Sequence, residues 1–231
     1  MKLIELEEVD STNDYLKREY QNLPDQVCVV TKYQTKGRGR NGHIWESQPN
    51  ENLIMSFLFK DFKNMEDAWK ITQLAACSVV GLLERNRIKA MIKWPNDIYV
   101  DGKKICGILT ETILDPDLKG IIIGIGLNVN DTKYQSMKQV TGKSYKVSKI
   151  AVGLKTFILI YYNLYQTNQF HKILEYANSI SYLKDKWVVY KDYGEVCFQQ
   201  LLEDGTVLFI DRNGKIYKQV INEISLHNDE K

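Results

Sequence analysis

Residues 97-DIYVDGKKICGILTET-112 contain two apolar runs on either side of Asp101-Gly102, and this pattern predicts a β-hairpin. Asp and Gly tolerate the positive φ angles that a tight two-residue turn requires, so the pair is a strong turn signal. Other apolar runs of strand length lie before and after the hairpin. Further strands are predicted over residues 3–9, 26–33, 53–59, 88–94 and 120–128. We expect them to form a mixed, mostly antiparallel sheet.

Helical patterns occur between these strands. Asp10 or Ser11 can cap a helix that runs to about residue 21, because a short side-chain oxygen there accepts a hydrogen bond from the first helical turn. From Met65 to about Arg85 apolar residues recur at helical spacing, which predicts a core helix. Residues 146–178 have the same period and are predicted to form two helices. The fold class is therefore α+β, with the helices on one side of the sheet.

The sequence changes character after residue 180. Short β runs follow one another there, divided by glycine-containing turns, and this spacing is typical of a small SH3-like barrel. The predicted strands cover residues 186–191, 194–202, 206–211 and 215–226. We therefore expect two domains, a larger one over residues 1–180 that carries the site and a small β domain over residues 181–231.

Composition limits the classes of function. Of 231 residues, 44% are hydrophobic and 26% are charged, which is ordinary for a globular protein. The formal net charge is only +2, whereas a protein held to nucleic acid by its phosphates usually has a clearer basic excess. The apolar run 157–165 is too short to span a bilayer, and residues 1–10 lack the apolar core of a signal peptide. These features favour a cytoplasmic protein that binds neither nucleic acid nor membranes.

The cysteines and histidines are scattered along the sequence. No two cysteines have the Cys-x-x-Cys spacing of a zinc or redox site, and the histidines do not cluster with them. We therefore predict no protein-bound transition metal and no disulfide, as is usual in a reducing compartment. The residues concerned are Cys28, Cys77, Cys106, Cys197, His43, His171 and His227.

The loop 35-TKGRGRNGHIW-45 is flexible and positively charged and leads to an aromatic residue. Its glycines let backbone N–H groups turn toward an anion, and Arg38 and Arg40 offer planar donor pairs for carboxylate or phosphate. The loop matches neither the Walker A motif nor the dinucleotide-binding glycine motif. Taken alone, it is read more simply as a solvated basic turn, with Trp45 as a core residue.

Two further patterns contain chemically informative residues. In 93-KWPND-97 a lysine leaves a strand between apolar neighbours, so its charge requires an anionic partner or a water-exposed tip. A binding lysine and an ordinary strand end fit this pattern equally well. Gly107 and Gly126 interrupt apolar strands, which indicates either a bulge or a ligand that approaches the backbone.

Five motifs follow one another between about residues 9 and 130. They are Ser11-Thr12-Asn13, Gln34-x-x-Gly-Arg-Gly-Arg leading to Trp45, Lys93-Trp-Pro-Asn-Asp-Ile, Lys104-x-x-Gly-Ile-Leu-x-Glu, and Gly124-x-Gly-x-Asn. In this order they resemble the biotin–protein ligase family, and Lys-Trp-Pro-Asn-Asp is the most specific of them. The β-rich C-terminal part resembles that family's small C-terminal domain, and the sheet is expected to be class II synthetase-like.

The resemblance implies a two-step reaction. Biotin and ATP, with Mg²⁺ carried by the ATP, form biotinyl-5′-AMP and pyrophosphate. A lysine of a biotin carboxyl carrier protein or domain, such as that of acetyl-CoA carboxylase, then takes the biotin and AMP is released. Both reactants of the first step are anions, so we expect catalysis mainly by positioning and by cations that screen the charge.

The resemblance also implies a role for particular residues. The catalytic cations are Lys93, Arg38 and Arg40, with Lys93 between the biotin carboxylate and the α-phosphate. The biotin-binding residues are Ser11, Thr12, Asn13, Gln34, Gly37, Arg38, Lys93, Gly107 and Gly126. The ATP- or adenylate-binding residues are Arg38, Arg40, Trp45, Lys93 and Asn128, with Trp45 beside adenine and Asn128 at its edge.

The sequence differs from the common family pattern after Arg40. The family often has another arginine near position 43, where this chain has Asn41, Gly42 and His43. Some members also have an N-terminal DNA-binding domain. Because this sequence starts about ten residues before Ser11-Thr12-Asn13, we expect the short form without it.

Three alternatives remain at this point. A lipoate-type acyl-adenylate ligase would need a long apolar tunnel, and the Lys-Trp-Pro-Asn-Asp and Gly-Arg-Gly-Arg motifs favour biotin. A non-catalytic nucleic-acid-binding module could use the basic loop with Tyr33 and Trp45. An inactive ligase-like scaffold has the same motifs. The sequence fits a monomer and a homodimer equally.

Overall fold

The computed structural model describes residues 1–60, 62, 65, 67–190 and 193–220. Seven strands form the main sheet: β1 (Lys2–Val9), β2 (Val27–Gln34), β3 (Asn52–Phe59), β4 (Met91–Lys93), β5 (Asp97–Val100), β6 (Lys103–Asp115) and β7 (Asp117–Asn128). Their spatial order is β1-β2-β3-β7-β6-β5-β4. Only β1 and β2 are parallel neighbours, and the other neighbouring pairs are antiparallel. The predicted mixed, mostly antiparallel sheet is confirmed.

The Asp-Gly hairpin forms between β5 and β6. Asp101 has a φ of 50° and Gly102 a φ of 77°, the positive values that the tight turn needs. The pairing of β6 with β7 continues the sheet and sets Gly107 opposite Gly126. The register of this hairpin therefore determines which side chains share the surface of the sheet beside β7.

Within the part of the chain that the structure describes, five α-helices accompany the sheet: α1 (Thr12–Glu19), α2 (Asp67–Arg85), α3 (Met137–Thr141), α4 (Val147–Gln166) and α5 (Phe170–Ser179). Ser11 caps α1 by accepting a hydrogen bond from the backbone N–H of Asp14, as the sequence predicts. The sequence does not predict the short helix α3.

The long helices cover one face of the sheet, and α1 covers the other. The side chains of α2, α4 and α5 pack in one core cluster with Cys28 of β2. Leu16 of α1 packs instead against Val27 and Val29, which point to the opposite face of the same strand. The prediction of helices on one side thus holds for the three long helices. It misses α1, whose N-terminus lies against the face of the sheet that carries Gly124.

Helix α4 is long and apolar enough to cross a membrane by length and composition alone. Here it packs on α2 and β3, with Ile150, Leu154 and Ile158 buried. Core helices of soluble proteins meet the same two criteria, so the helix is weak evidence for a membrane span.

A second, four-stranded antiparallel sheet follows the helices. Its strands are β8 (Trp187–Val189), β9 (Glu195–Leu201), β10 (Thr206–Asp211) and β11 (Ile216–Val220), in the order β11-β10-β9-β8. This sheet agrees with the predicted small SH3-like domain. Residues 191, 192 and 221–231, which include parts of two predicted strands and His227, lie outside the described residues.

The two sheets share a hydrophobic core. The rings of Trp94 and Phe198 lie 6.2 Å apart, and both side chains belong to the same buried cluster. The segment that joins the two parts also pairs with β4, because Ile92 N–H donates to Ile180 O and Tyr182 N–H donates to Ile92 O. The edge strand that carries Lys93 is therefore held on both sides. The division at residue 180 stays a prediction.

The four cysteines are free thiols and all are buried. Burial raises the pKa of Cys28 to about 11, because the thiolate would lose its hydration inside the protein. In the described part of the chain, His, Cys, Asp and Glu side chains form no group of three or more that could hold a metal ion.

Candidate active site

A cavity of about 690 Å³ lies on the face of the sheet that carries α1. It brings together residues from most of the predicted motifs, although these are far apart in the sequence. The predicted residues that line it are Ser11, Thr12, Asn13, Gln34, Arg38, Arg40, Trp45, Lys93, Gly107 and Gly126. Gly37 and Asn128 do not line it.

One end of the cavity is an interlocked polar network at the start of α1. The backbone N–H of Thr12 donates to Gln34 Oε1 at 2.7 Å, and its hydroxyl lies 2.6 Å from Ser56 Oγ. Ser56 in turn donates to Asn13 Oδ1 at 2.6 Å. The side-chain amide of Asn13 donates to Glu111 Oε2 at 2.8 Å and to Leu109 O at 3.3 Å. These bonds hold donors and acceptors in fixed positions, as the recognition of a small polar head group requires.

Charged side chains flank this network. Lys17 donates to Glu111 at 2.6 Å, and Arg38 forms ion pairs with Asp14 and Glu111. Burial raises the pKa of Glu111, but the hydrogen bonds from Lys17 and Asn13 outweigh it, so the pKa lies below its usual range. Glu111 is therefore a stable carboxylate at neutral pH. It holds Arg38 beside the cavity.

The middle of the cavity has a flat glycine floor, formed by Gly107, Gly124 and Gly126. An ideal Cβ at Gly126 would lie 2.3 Å from the Trp45 ring, and one at Gly124 would lie 2.4 Å from Asn13 Oδ1. Real Cβ atoms do not approach that closely, so a side chain at either position would require Trp45 or Asn13 to shift. These glycines are thus the places where the side chains of Trp45 and Asn13 contact the backbone of the strand.

The half-buried Trp45 lies on this floor. Its indole is in contact range of both Gly107 and Gly126, and the Lys104 ammonium is 5.7 Å from the ring centre. Trp45 Nε1 is buried and has no hydrogen-bond partner among the described residues. Backbone pairing holds the two ends of the loop together, because Trp45 N–H donates to Gly37 O and Arg38 pairs with Ile44.

Strand pairing places Lys93 in the same row as the glycine floor. Lys93 is paired with Asp97, Asp97 with Gly107, and Gly107 with Gly126. At about 4.8 Å per strand, Lys93 lies about 14 Å from Gly126, across the width of the cavity. Its ammonium donates to the Tyr99 hydroxyl at 3.1 Å and lies over that ring. In the described ranges, this neutral phenol is its polar partner, so its charge remains free to meet an anion.

Arg40 and Lys104 add positive charge on the same side. Arg40 donates to Asn96 Oδ1 at 3.1 Å. Burial lowers the pKa of its guanidinium, and the Asp97 carboxylate opposes that shift, so the group stays protonated at neutral pH. Lys104 pairs with Asp97 at 2.8 Å. A ligand with an anionic end would therefore place that end between Lys93 and Arg40.

Two predicted residues lie beside the cavity. Gly37 is buried, and an ideal Cβ there would lie 2.3 Å from the Trp45 carbonyl oxygen, so it shapes the loop. Asn128 ends β7, is 4% exposed, and donates to Gln135 O at 3.1 Å. Its side chain is thus engaged by the segment before α3.

Sequence reasoning missed several residues of the site. Five of them lie inside motifs that the sequence analysis identified, although it assigned them no role. The cavity-lining residues are Asn96, Asp97, Lys104 and Gly124, and the supporting carboxylate is Glu111. Ser56 and Tyr99 had no such signal.

The combination of a polar network, a flat floor and a cationic side agrees with comparisons to known proteins. The family model described as the biotin/lipoate A/B protein ligase family matches residues 5–128. The chain belongs to this family. The matched segment ends at Asn128 and so contains every motif that lines the cavity.

Relatives within the family carry related names. "Bifunctional ligase/repressor BirA" of Bacillus subtilis is 43% identical over 111 residues, which cover 47% of this chain and 34% of that protein. "Biotin--[acetyl-CoA-carboxylase] ligase" of Mycobacterium tuberculosis is 34% identical over 110 residues, 46% of this chain and 40% of that protein. The matches thus span less than half of these relatives.

A solved structure covers nearly the whole chain. The biotin protein ligase of Aquifex aeolicus, in complex with biotin and ATP, superposes with a TM-score of 0.86. It is 28% identical and the match covers 99% of both chains. The fold, including the second sheet, is therefore shared with that ligase.

Proposed function

We propose that this protein activates biotin with ATP to biotinyl-5′-AMP and transfers the biotin to a lysine of a biotin carboxyl carrier domain. The observation that carries the proposal is the row from Lys93 to Gly126. It sets a cation that has no ion pair among the described residues opposite a flat floor, in a cavity whose other end is a polar network. The Aquifex neighbour with biotin and ATP supports the same substrates.

The parts of the cavity suggest how the substrates bind. The ring system of biotin lies on the glycine floor, and its ureido head exchanges hydrogen bonds with the network of Ser11, Thr12, Asn13 and Gln34. Its carboxylate reaches Lys93. The α-phosphate lies between Lys93 and Arg40, and Arg38 turns from its carboxylate partners to the phosphates. Mg²⁺ arrives bound to ATP.

These residues favour adenylation by positioning. A carboxylate oxygen of biotin attacks the α-phosphorus, the bond to the β-phosphate oxygen breaks, and pyrophosphate leaves. Lys93 and Arg40 lessen the repulsion between the two anions, because their positive charges are already in place where the anions meet. In the second step, a lysine amine attacks the acyl carbon and AMP leaves.

The setting of the reaction is also part of the proposal. The acceptor is a biotin carboxyl carrier protein or domain, and its lysine is the partner that the ligase modifies. We place the reaction in the cytoplasm, where free buried thiols such as those of this chain persist. Neither nucleic acid nor a membrane takes part.

Biotin-dependent exchange of labelled pyrophosphate into ATP tests the first step directly. Purified protein is incubated with MgATP and labelled pyrophosphate, with biotin, with lipoate, or with neither acid. We expect exchange that requires biotin. Exchange with lipoate alone would change the substrate to an acyl chain, and no exchange with either acid from folded protein would contradict the enzyme function.

The position of Trp45 predicts a fluorescence change when biotin binds. Because the indole lies on the glycine floor, a ligand ring that uses the same surface must move it, and tryptophan emission depends on its surroundings. We expect biotin alone to change the emission, and Trp45→Phe to abolish the change. The other three tryptophans remain in that variant as an internal reference. If biotin still produced the wild-type emission change in Trp45→Phe, Trp45 would not be the group displaced.

A further inference from the structure

A second cavity, of about 240 Å³, adjoins the first between α2 and β6. The two cavities share four lining residues, Arg40, Pro95, Asn96 and Ile108. The hydrogen bond from Arg40 to Asn96 crosses this shared wall. A group in the smaller cavity would therefore lie next to the place proposed for the phosphate and the carboxylate.

Gln73 of α2 lines this cavity and has an unpaired acceptor. The residue is 1% exposed, and its amide nitrogen donates to Pro95 O at 3.0 Å. A proline carbonyl can only accept, so this bond settles which end of the amide is nitrogen. The other end, Oε1, is buried and has no hydrogen-bond partner among the described residues. A buried acceptor of this kind is costly unless a donor meets it.

Thr110 provides a second acceptor. The Thr72 hydroxyl has a single proton and lies 2.9 Å from Ala68 O and 2.8 Å from Thr110 Oγ1, with the geometry of a donor to each. Thr110 Oγ1 therefore uses at most one lone pair on Thr72. A lone pair of Thr110 Oγ1 therefore remains to accept a hydrogen bond from a group in the cavity.

The rest of the lining is mainly apolar. Met65, Ala68, Trp69 and Ile108 form the walls, and Arg40 is the one cation in the lining as described. Two acceptor oxygens beside an apolar channel suit a donor on an aliphatic stem, and they do not suit an anion such as pyrophosphate. A lysine side chain has this character, with a four-carbon stem and a nitrogen that donates. The cavity of about 240 Å³ is several times larger than the volume of one water molecule in the liquid, which is about 30 Å³. The four carbons and the nitrogen of a lysine side chain therefore fit in it.

We propose that the smaller cavity receives the acceptor lysine in the second step, and that Gln73 Oε1 and Thr110 Oγ1 position its amine. The proposal rests on the proposed function. The apolar walls of the cavity disfavour the ammonium form, so the nitrogen enters as the neutral nucleophile that the reaction needs. Its lone pair forms the C–N bond as the acyl carbon–oxygen bond breaks. AMP leaves with that electron pair, and the nitrogen loses a proton to solvent.

The two half-reactions separate this role from a general structural one. Pyrophosphate exchange reports adenylation, which needs no acceptor, and transfer of labelled biotin to a purified biotin carboxyl carrier domain reports the second step. We expect Thr110→Val and Gln73→Leu to keep exchange near the wild-type rate and to slow transfer about tenfold, as the loss of one hydrogen bond to the amine implies. Thr110→Ser retains the hydroxyl and should restore transfer.

Thr156→Val is the matched control, because this exposed threonine bonds to its own helix at Val152 O and lies in neither cavity. Transfer at the wild-type rate in both test variants would overturn the inference, as would parallel losses of exchange and transfer. A wild-type protein without biotin-dependent exchange would overturn the proposed function itself, and this inference with it. If the wild type catalyses both exchange and transfer, and the test variants transfer biotin at the same rate, only this inference is overturned.

Discussion

Replacing Lys93 by alanine is expected to lower biotin-dependent pyrophosphate exchange by about 10²–10³-fold, the usual cost of one preorganised charge at a reacting centre. Lys93 ends a strand held on both sides, and its ammonium is bonded to the neutral hydroxyl of Tyr99. Its charge is therefore already in place before the substrates bind. In the proposed adenylation, it lies between two anions that otherwise repel each other.

Lys103→Ala serves as the control for this variant. Lys103 is an exposed lysine in the neighbouring hairpin, and it does not line the cavity. We expect it to exchange at the wild-type rate, while circular dichroism shows both variants folded. If Lys93→Ala retained more than about a tenth of the wild-type rate, the charge would not act in the reaction as proposed.

Adding one methyl group to the glycine floor, in Gly126→Ala, is expected to weaken biotin binding about 10–100-fold, since overpacking a close contact typically costs about 1–3 kcal/mol. The ideal Cβ would lie 2.3 Å from the present Trp45 ring. The added methyl group meets the ring of a half-buried side chain and no backbone atom, so the protein should fold once that side chain shifts. A biotin ring, however, would be lifted off the sheet and away from the polar network and Lys93.

Titration of biotin by calorimetry measures this effect, with Gly120→Ala as the comparison. Gly120 is on the same strand outside the cavity, and an ideal Cβ there would lie 3.0 Å from Phe59 O. That variant should lose stability while its folded fraction binds biotin normally. Wild-type affinity in Gly126→Ala would show that the biotin ring does not lie on the glycine floor.

Local sequence patterns predicted most of the regular structure. The Asp101-Gly102 turn and the apolar run of β3 are short-range features, and each was confirmed. The short strand β4 was predicted as the longer segment 88–94, because apolar residues next to a strand look the same whether or not they pair. Helix α3 was missed since its five residues are too few to show a helical period.

The candidate site was predicted as a set of residues, without its geometry. The motifs named ten of the residues that line the cavity. They contained no information about Trp45 on the glycine floor, or about Glu111 between Lys17 and Arg38. Ser56, Gln73 and Tyr99 lie in ordinary helix and strand patterns, so no motif distinguished them. Such contacts join residues that are distant in sequence, and local patterns carry no record of them.

The sequence by itself determined the strands, the main helices, the family resemblance and the types of residue available for chemistry, because these depend on local periodicity and on short motifs. Only the tertiary structure decided which residues meet. Strand register sets Lys93, Asp97, Gly107 and Gly126 in one row, and a shift of one residue would turn these side chains to the other face. The packing of α2 against β6 likewise formed the second cavity beside Gln73. The site of this protein depends on pairings between segments that are distant in sequence. Those pairings are fixed because only one register buries the apolar side chains of the whole core.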